Sequence, residues 1–246
     1  MCGRYTLRRS FEEILACLEA LLGDELGTLD QDHSRGDVAM AAGRFNIRPS
    51  HDVLVLRHDG TSPCLALSRW GYQPAWMTPD YQRQAKRGPF INARAETVHT
   101  ARAFAPAAAS QRCLIIADGF YEATTEAGGK RTPHFFEATS SDVFLMAGIE
   151  ASFPSAEWRA SHSNVAILTQ EAQGVARDVH HRMPVILSAK QAIGWLRASQ
   201  LPEATATVSA LTHRPVSTWV NQRDAEGPQC LASPEPEPVS AQGSLF

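Results

Sequence analysis

The 246 residues carry a formal net charge of −3 and are 43% hydrophobic, with five widely spaced cysteines and no CxxC pair. That length suits one large domain or two small ones with a sizeable core, and the mild acidity requires any nucleic-acid partner to be held by a local basic surface. The odd, scattered cysteines argue against a disulfide framework or a structural zinc site, and no apolar run approaches the roughly 20 residues of a membrane helix.

In chain order, Cys2 stands directly behind the initiator in Met1-Cys2-Gly3-Arg4-Tyr5. Ser10-Phe11-Glu12-Glu13 has the form of a capping box, and Phe11, Ile14, Leu15, Leu18, Leu21 and Leu22 follow at helical spacing, which predicts a helix over residues 11–22. Glu12 and Glu13 also interrupt the apolar segment a secretory signal would need, so a reducing cytoplasm is the expected home. Residues 23–43 read as a surface loop. Short β-like runs then recur at Val53–Arg57, Cys64–Trp70, Cys113–Ala117, His134–Glu137, Val143–Ile149, Asn164–Leu168 and Pro184–Leu187, separated by turn residues. Ala95–Phe104 is expected to be helical. Ser188 to Gln191 repeats the capping-box form and opens another helix through Trp195 and Leu196. The pattern predicts an α+β domain over residues 2–231, on a mainly antiparallel sheet or irregular β-barrel with flanking helices. Residues 232–246 form an acidic, Pro-rich tail, extended rather than foldable.

A small second residue allows the initiator to be trimmed, which would leave Cys2 with a free amine two carbons from its thiol. Such an aminothiol can take up an aldehyde as a Schiff base and close on it through sulfur as a five-membered thiazolidine. An internal cysteine has no amine to do this.

Polar residues in stiff surroundings stand out at Cys2-Gly3-Arg4-Tyr5, Ile91-Asn92-Ala93-Arg94-Ala95-Glu96-Thr97, Ala117-Asp118-Gly119-Phe120-Tyr121-Glu122 and Asp178-Val179-His180-His181-Arg182-Met183-Pro184. Together with Arg44-Phe45-Asn46 and Pro49, Trp70-Gly71-Tyr72 with Pro74 and Trp76, and Leu168-Thr169 with Ala172, they occur in the order of a known family pattern. From residue 2 to about 221 the chain resembles the SRAP family, named for SOS-response-associated peptidases and known as sensors of abasic sites in single-stranded DNA.

The resemblance implies a catalytic set of Cys2, Asn92, Glu122 and His180, acting on single-stranded DNA that contains abasic sites, with no cofactor and no metal. Cys2 would form the covalent thiazolidine crosslink that shields the lesion during replication. Glu122 would open the sugar hemiacetal and move protons during imine formation. His180 would be the second proton-transfer group, and Asn92 would orient the amine or the closed ring. An extended segment would put His181 on the face opposite His180, outside the catalytic set. Arg4 and Arg94 resemble the family's phosphate-binding arginines; Asn46 and Arg182 join them as DNA-binding residues, with Arg48 a weaker candidate. Trp70, Trp76, Phe120 and Tyr121 offer stacking surfaces, or else core. The implied enzyme is a lyase or thiol hydrolase, nucleoid-associated, with autoproteolytic removal of Met1 open. Ala123 follows Glu122 where relatives often carry Trp, and the 23–43 loop is longer than usual.

Gln242, Leu245 and Phe246 resemble the short motif by which bacterial repair proteins dock on the sliding clamp; no membrane is implied as a partner. Two other readings use the same residues. One is an N-terminal-nucleophile cysteine peptidase or amidohydrolase with His180 as base and Glu122 as orienter. The other is a non-covalent lesion-binding module.

Overall fold

The computed structural model describes residues 2–23, 38–58, 63–86, 88–126, 128–139, 143–152, 163–197 and 211–235. Most of the expected 23–43 loop and the motif Gln242, Leu245 and Phe246 lie outside these residues.

The strands are β1 (Tyr5–Leu7), β2 (Arg44–Ile47), β3 (Asp52–His58), β4 (Pro63–Trp70), β5 (Asn92–Arg94), β6 (Arg112–Ala117), β7 (Gly119–Thr125), β8 (Arg131–Ala138), β9 (Phe144–Ser152), β10 (Ser163–Glu171), β11 (Arg182–Pro184), β12 (Ile186–Leu187) and β13 (Leu211–Pro215). The helices are α1 (Phe11–Leu22), α2 (Pro79–Ala85), α3 (Ala105–Ser110) and α4 (Ala189–Arg197). No helix among the described residues is long and apolar enough to cross a membrane.

One sheet is antiparallel throughout, in the order β13-β8-β7-β1-β2. The other runs β11-β10-β4-β3-β6-β9-β12, and a further pairing of β9 with β10 closes a cycle of strands. Its only parallel pairings among the described strands join β10 to β4 and to β5. The α+β architecture on mainly antiparallel sheets is the expected one.

The helix over residues 11–22 forms as its pattern requires. The Ser10 side chain accepts from the Glu13 amide while the Glu13 carboxylate accepts from the Ser10 amide, satisfying amide donors the first turn would leave open. Phe11, Ile14, Leu18 and Leu22 enter the core, each burial being worth roughly 1.5–3 kcal/mol. The box at Ser188 and Gln191 is also present.

Ala95–Phe104 is not a helix but a succession of turns, with Thr97 N–H bonded to the Arg94 carbonyl and Thr100 N–H to that of Thr97. The β-branched residues Thr97, Val98 and Thr100 weaken a helix there, and the helix instead begins at Ala105, with Pro106 in its first turn. The expected strand Pro184–Leu187 divides in two. Residues up to Pro184 pair with β10, residues from Ile186 pair with β9, and Val185 bonds to both through Leu168 and Ala147.

Side chains alternate across β7 and β8. Phe120 and Phe136 stack at 4.7 Å within the main core, while Tyr121 and Phe135 face the other side. There they form a small second core with Val216, Val220, Ala225 and Cys230 of the segment after β13. That segment is a strap across the five-stranded sheet, and it continues at least to Ala232, whose carbonyl accepts from the Ser217 amide.

Candidate active site

Cys2 is fully buried, at the point where β1 passes between β2 and β7. The Tyr121 amide donates to the Arg4 carbonyl at 3.0 Å and fixes the chain two residues beyond the cysteine. Gly119 makes this approach feasible, because a Cβ there would lie 2.1 Å from the Phe135 ring and 2.9 Å from Thr6 Oγ1. Asp118, the first carboxylate of that motif, is structural: it accepts from the Thr6 hydroxyl, from the Arg8 amide and guanidinium, and from the Arg9 amide.

The other sheet contributes Asn92 at the start of β5. Its Nδ2 donates to the Cys2 carbonyl at 2.9 Å, while its buried Oδ1 has no hydrogen-bond partner. An orphaned amide oxygen is costly unless another state of the molecule uses it. Glu122 sits on β7 behind the cysteine, 6% exposed, with its side chain on the Phe120 face. Burial, and then the charge of Glu122, push the Cys2 thiol well above its ordinary value. The thiol is therefore neutral near pH 7. Tyr5 packs against Trp70 at 5.4 Å in the wall of the same region.

His180 follows a 3-10 turn, Gly174–Asp178, and its amide bonds back to the Ala176 carbonyl. The Arg182 amide lies 2.9 Å from His180 Nδ1 and the Arg182 carbonyl 3.1 Å from the same atom. An amide can only donate, so Nδ1 accepts it and the neutral ring carries its proton on Nε2. The expectation for His181 is overturned: the segment is bent rather than extended, and the two imidazoles stack at 4.3 Å. His180 lowers the pKa of exposed His181, and the Glu122 carboxylate acts on it in the opposite direction.

A cleft of about 280 Å³ opens beside Gly3 and Glu122, lined by Gly3, Arg4, Tyr121, Glu122, Ala123, Arg131, Pro133, Val220 and Asn221. Of the four expected catalytic residues only Glu122 lines it, and Cys2 lies buried next to Gly3 in the chain. Arg4 reaches it from the residue before β1, held by the Asn46 side-chain oxygen at 3.2 Å and the Asn221 carbonyl at 3.5 Å. Burial and the neighbouring Arg48 lower the Arg4 pKa.

The other expected DNA contacts divide sharply. Arg94 and Trp76 are exposed, the latter 40% and edge-on to Tyr81. Asn46 is fully buried; its amide donates to the Val220 and Ala225 carbonyls, so it positions Arg4 and the strap rather than meeting DNA. Trp70 is 1% exposed and donates to the Ile91 carbonyl, leaving no ring face for a base. Phe120 and Tyr121 are likewise core. Arg182 is engaged by both oxygens of Glu96, at 2.6 and 2.9 Å, and by Thr169. Arg48 donates to the Arg223 carbonyl.

Sequence reasoning missed Arg131, Asn221 and the exposed Trp219 beside it. Their one signal was Trp219 itself, an aromatic in a segment without an apolar pattern.

The family model for SOS response associated peptidase (SRAP) matches residues 1–223. The chain is 32% identical over 197 residues to the abasic site processing protein YoaM of Bacillus subtilis (strain 168), covering 80% of this chain and 79% of that one. It is 30% identical over 197 residues to the abasic site processing protein YedK of Escherichia coli (strain K12), covering 80% of each. A solved structure from Bacteroides thetaiotaomicron shares the fold with a TM-score of 0.74 at 16% identity, covering 94% of this chain and 99% of the other. The buried Cys2, its Asn92 clamp and the neighbouring Glu122 thus sit in a chain that belongs to the SRAP family.

Proposed function

We propose that this protein processes abasic sites in single-stranded DNA by forming a covalent thiazolidine crosslink through Cys2 once Met1 has been removed. The observation that carries the reading is the Asn92 side chain, which holds the Cys2 carbonyl with one end and leaves a buried acceptor at the other. A liberated amine on Cys2 gives that oxygen a donor.

In the proposed sequence, Glu122 and His180 open the sugar hemiacetal. The neutral amine adds to the aldehyde carbon, and the carbinolamine loses its hydroxyl as water, protonated by the His180 Nε2–H or by Glu122. The Cys2 sulfur then bonds to the imine carbon, the thiol proton passes through Glu122, and the former imine nitrogen ends protonated as the ring closes. One water is lost overall. The thiol's raised pKa suits this order, because sulfur stays protonated until the amine has captured the carbonyl. Holding both nucleophiles on one residue gives the closure a high effective molarity.

The same raised pKa weighs against the peptidase reading, in which a thiolate must attack an acyl carbon first. A single strand is favoured because reaching the sugar within a duplex requires unstacking.

Intact-mass analysis with an abasic oligonucleotide tests the proposal. The expected product lacks Met1 and weighs protein plus oligonucleotide minus one water, with the bond mapped to Cys2. Methionine retained in reactive material, or attachment through another side chain, overturns it. The tail through Gln242, Leu245 and Phe246 is proposed to tether the domain to the bacterial sliding clamp. Replacing Leu245 and Phe246 with Ala is expected to abolish clamp binding and leave crosslinking intact; undiminished clamp affinity removes the tether.

A further inference from the structure

We infer that Ser217–Asn221 and Arg131 build a second nucleotide subsite at the cleft shared with Arg4 and Glu122, where Trp219 stacks on the base and Arg131 meets the phosphate of a nucleotide neighbouring the lesion. The inference rests on the proposed single-stranded substrate. At about 280 Å³ the cleft lies just below the range of about 300–1,000 Å³ typical of ligand pockets. It takes a sugar and phosphate, but a flanking base must lie on its rim.

Trp219 is 42% exposed, and its chain neighbours Val220 and Asn221 line the cleft. It is carried on a fixed turn rather than a loose surface. The Ser217 hydroxyl accepts from the Trp219 amide at 3.2 Å, and the Gln222 amide donates to the Trp219 carbonyl at 2.9 Å. The next two carbonyls are held by Asn46 at 3.1 Å and Arg4 at 3.5 Å, and Val220 is fully buried. A large aromatic left exposed on backbone anchored at both sides is already organised for stacking, which is tolerant of base identity.

Arg131 lines the same cleft, and its guanidinium has no hydrogen-bond or ion-pair partner among the described residues. An arginine without a partner among the described residues, on the wall shared with Arg4, suits a phosphate.

The test uses the full chain and an undamaged single-stranded oligonucleotide, so no covalent step enters the readout. Binding followed by anisotropy is expected to weaken about tenfold in Trp219→Ala and to stay near the wild-type value in Trp219→Phe. Arg131→Gln should weaken binding several-fold and lower the salt dependence by about one phosphate contact. Wild-type affinity in both Trp219→Ala and Arg131→Gln, with unchanged thermal unfolding, overturns the subsite, whether or not the wild type crosslinks abasic DNA. If the wild type forms no adduct yet Trp219→Ala and Arg131→Gln still lose affinity for the intact strand, the subsite stands and the covalent reading falls. Crosslinking of oligonucleotides with the lesion at one end or the other adds direction: Trp219→Ala should slow only the substrate that has a neighbour on the Trp219 side. Equal slowing of both overturns the assignment of Trp219 to one flanking nucleotide.

Discussion

In the proposed mechanism Asn92 and Glu122 divide the labour at Cys2, and their variants should fail differently. Asn92→Ala removes the donor to the Cys2 carbonyl and leaves that oxygen unsatisfied, a loss of about 1–3 kcal/mol. Since the lost contact positions the nucleophile, crosslinking should slow about ten- to a hundredfold, with little change in its pH profile. Glu122→Gln keeps the shape of the side chain but can neither take nor give a proton in the required way. The expected slowing is about 10²–10⁴-fold, with the shape of the pH profile altered as well. Single-turnover kinetics across pH distinguish the two. If Glu122→Gln reacts at the wild-type rate, the carboxylate is not the proton-transfer group and the Cys2 thiol must lose its proton elsewhere.

The strands that the hydrophobic pattern revealed and those it hid differ in a physically instructive way. Val53–Arg57, Cys113–Ala117 and Asn164–Leu168 are apolar runs buried in the cyclic sheet and read directly as strands. Tyr5–Leu7, Arg44–Ile47, Asn92–Arg94 and Gly119–Thr125 carry the site, and their polar residues break the alternation that would have marked them. Motif residues therefore pointed to a candidate site while concealing the elements that hold it. The motif also could not separate contact from support. Trp70, Asn46 and Arg182 belong to it, yet each is committed to core or to a neighbouring side chain.

The strap was invisible for a different reason: its fold depends on partners far away in sequence. Glu226 fastens it, accepting from the Phe45 amide and from Arg44. Burial alone would raise the Glu226 pKa, but the Phe45 and Gly227 amides and the Arg44 guanidinium outweigh it and leave the net shift downward from 4.5. A depressed carboxylate contributes stability that is complete above its unfolded value and lost as pH falls through the folded one. Strap amides should therefore lose hydrogen-exchange protection below 4.5, before the cyclic sheet does. Glu226→Gln should loosen the strap already near neutral pH, by about 1 kcal/mol given its partial exposure, and remove that acid transition. Because Asn221 of this strap and Asn46 of β2, which itself binds the strap, hold Arg4, the variant should weaken DNA binding more than it slows the chemistry once DNA is bound. Unaltered exchange at Val220 and Asn221 in Glu226→Gln would show that the small apolar core holds the strap unaided.

At the scale of the molecule, a net charge of −3 must coexist with a proposed polyanionic partner. The candidate phosphate contacts are few and grouped: Arg4 and Arg131 line the cleft, and Arg94 is exposed on the strand that begins with Asn92. Arg182 and Arg48 are taken up by protein groups. Each phosphate neutralised on a single strand contributes about −0.7 to the slope of log affinity against log salt, so these arginines give a slope of about −2. A protein acting through a broad basic surface would show a far steeper dependence. With so shallow a slope, long-range attraction contributes little to finding the strand; stacking at the rim would hold damaged and undamaged strands alike, and in the proposed mechanism lesion selectivity comes from the aldehyde chemistry at Cys2. Titrations of undamaged and abasic single strands over a range of salt concentrations measure this directly. The two should give parallel slopes before covalent closure. A slope steeper than about −5 for either strand would require a cationic surface beyond these arginines and would move the DNA path away from the cleft.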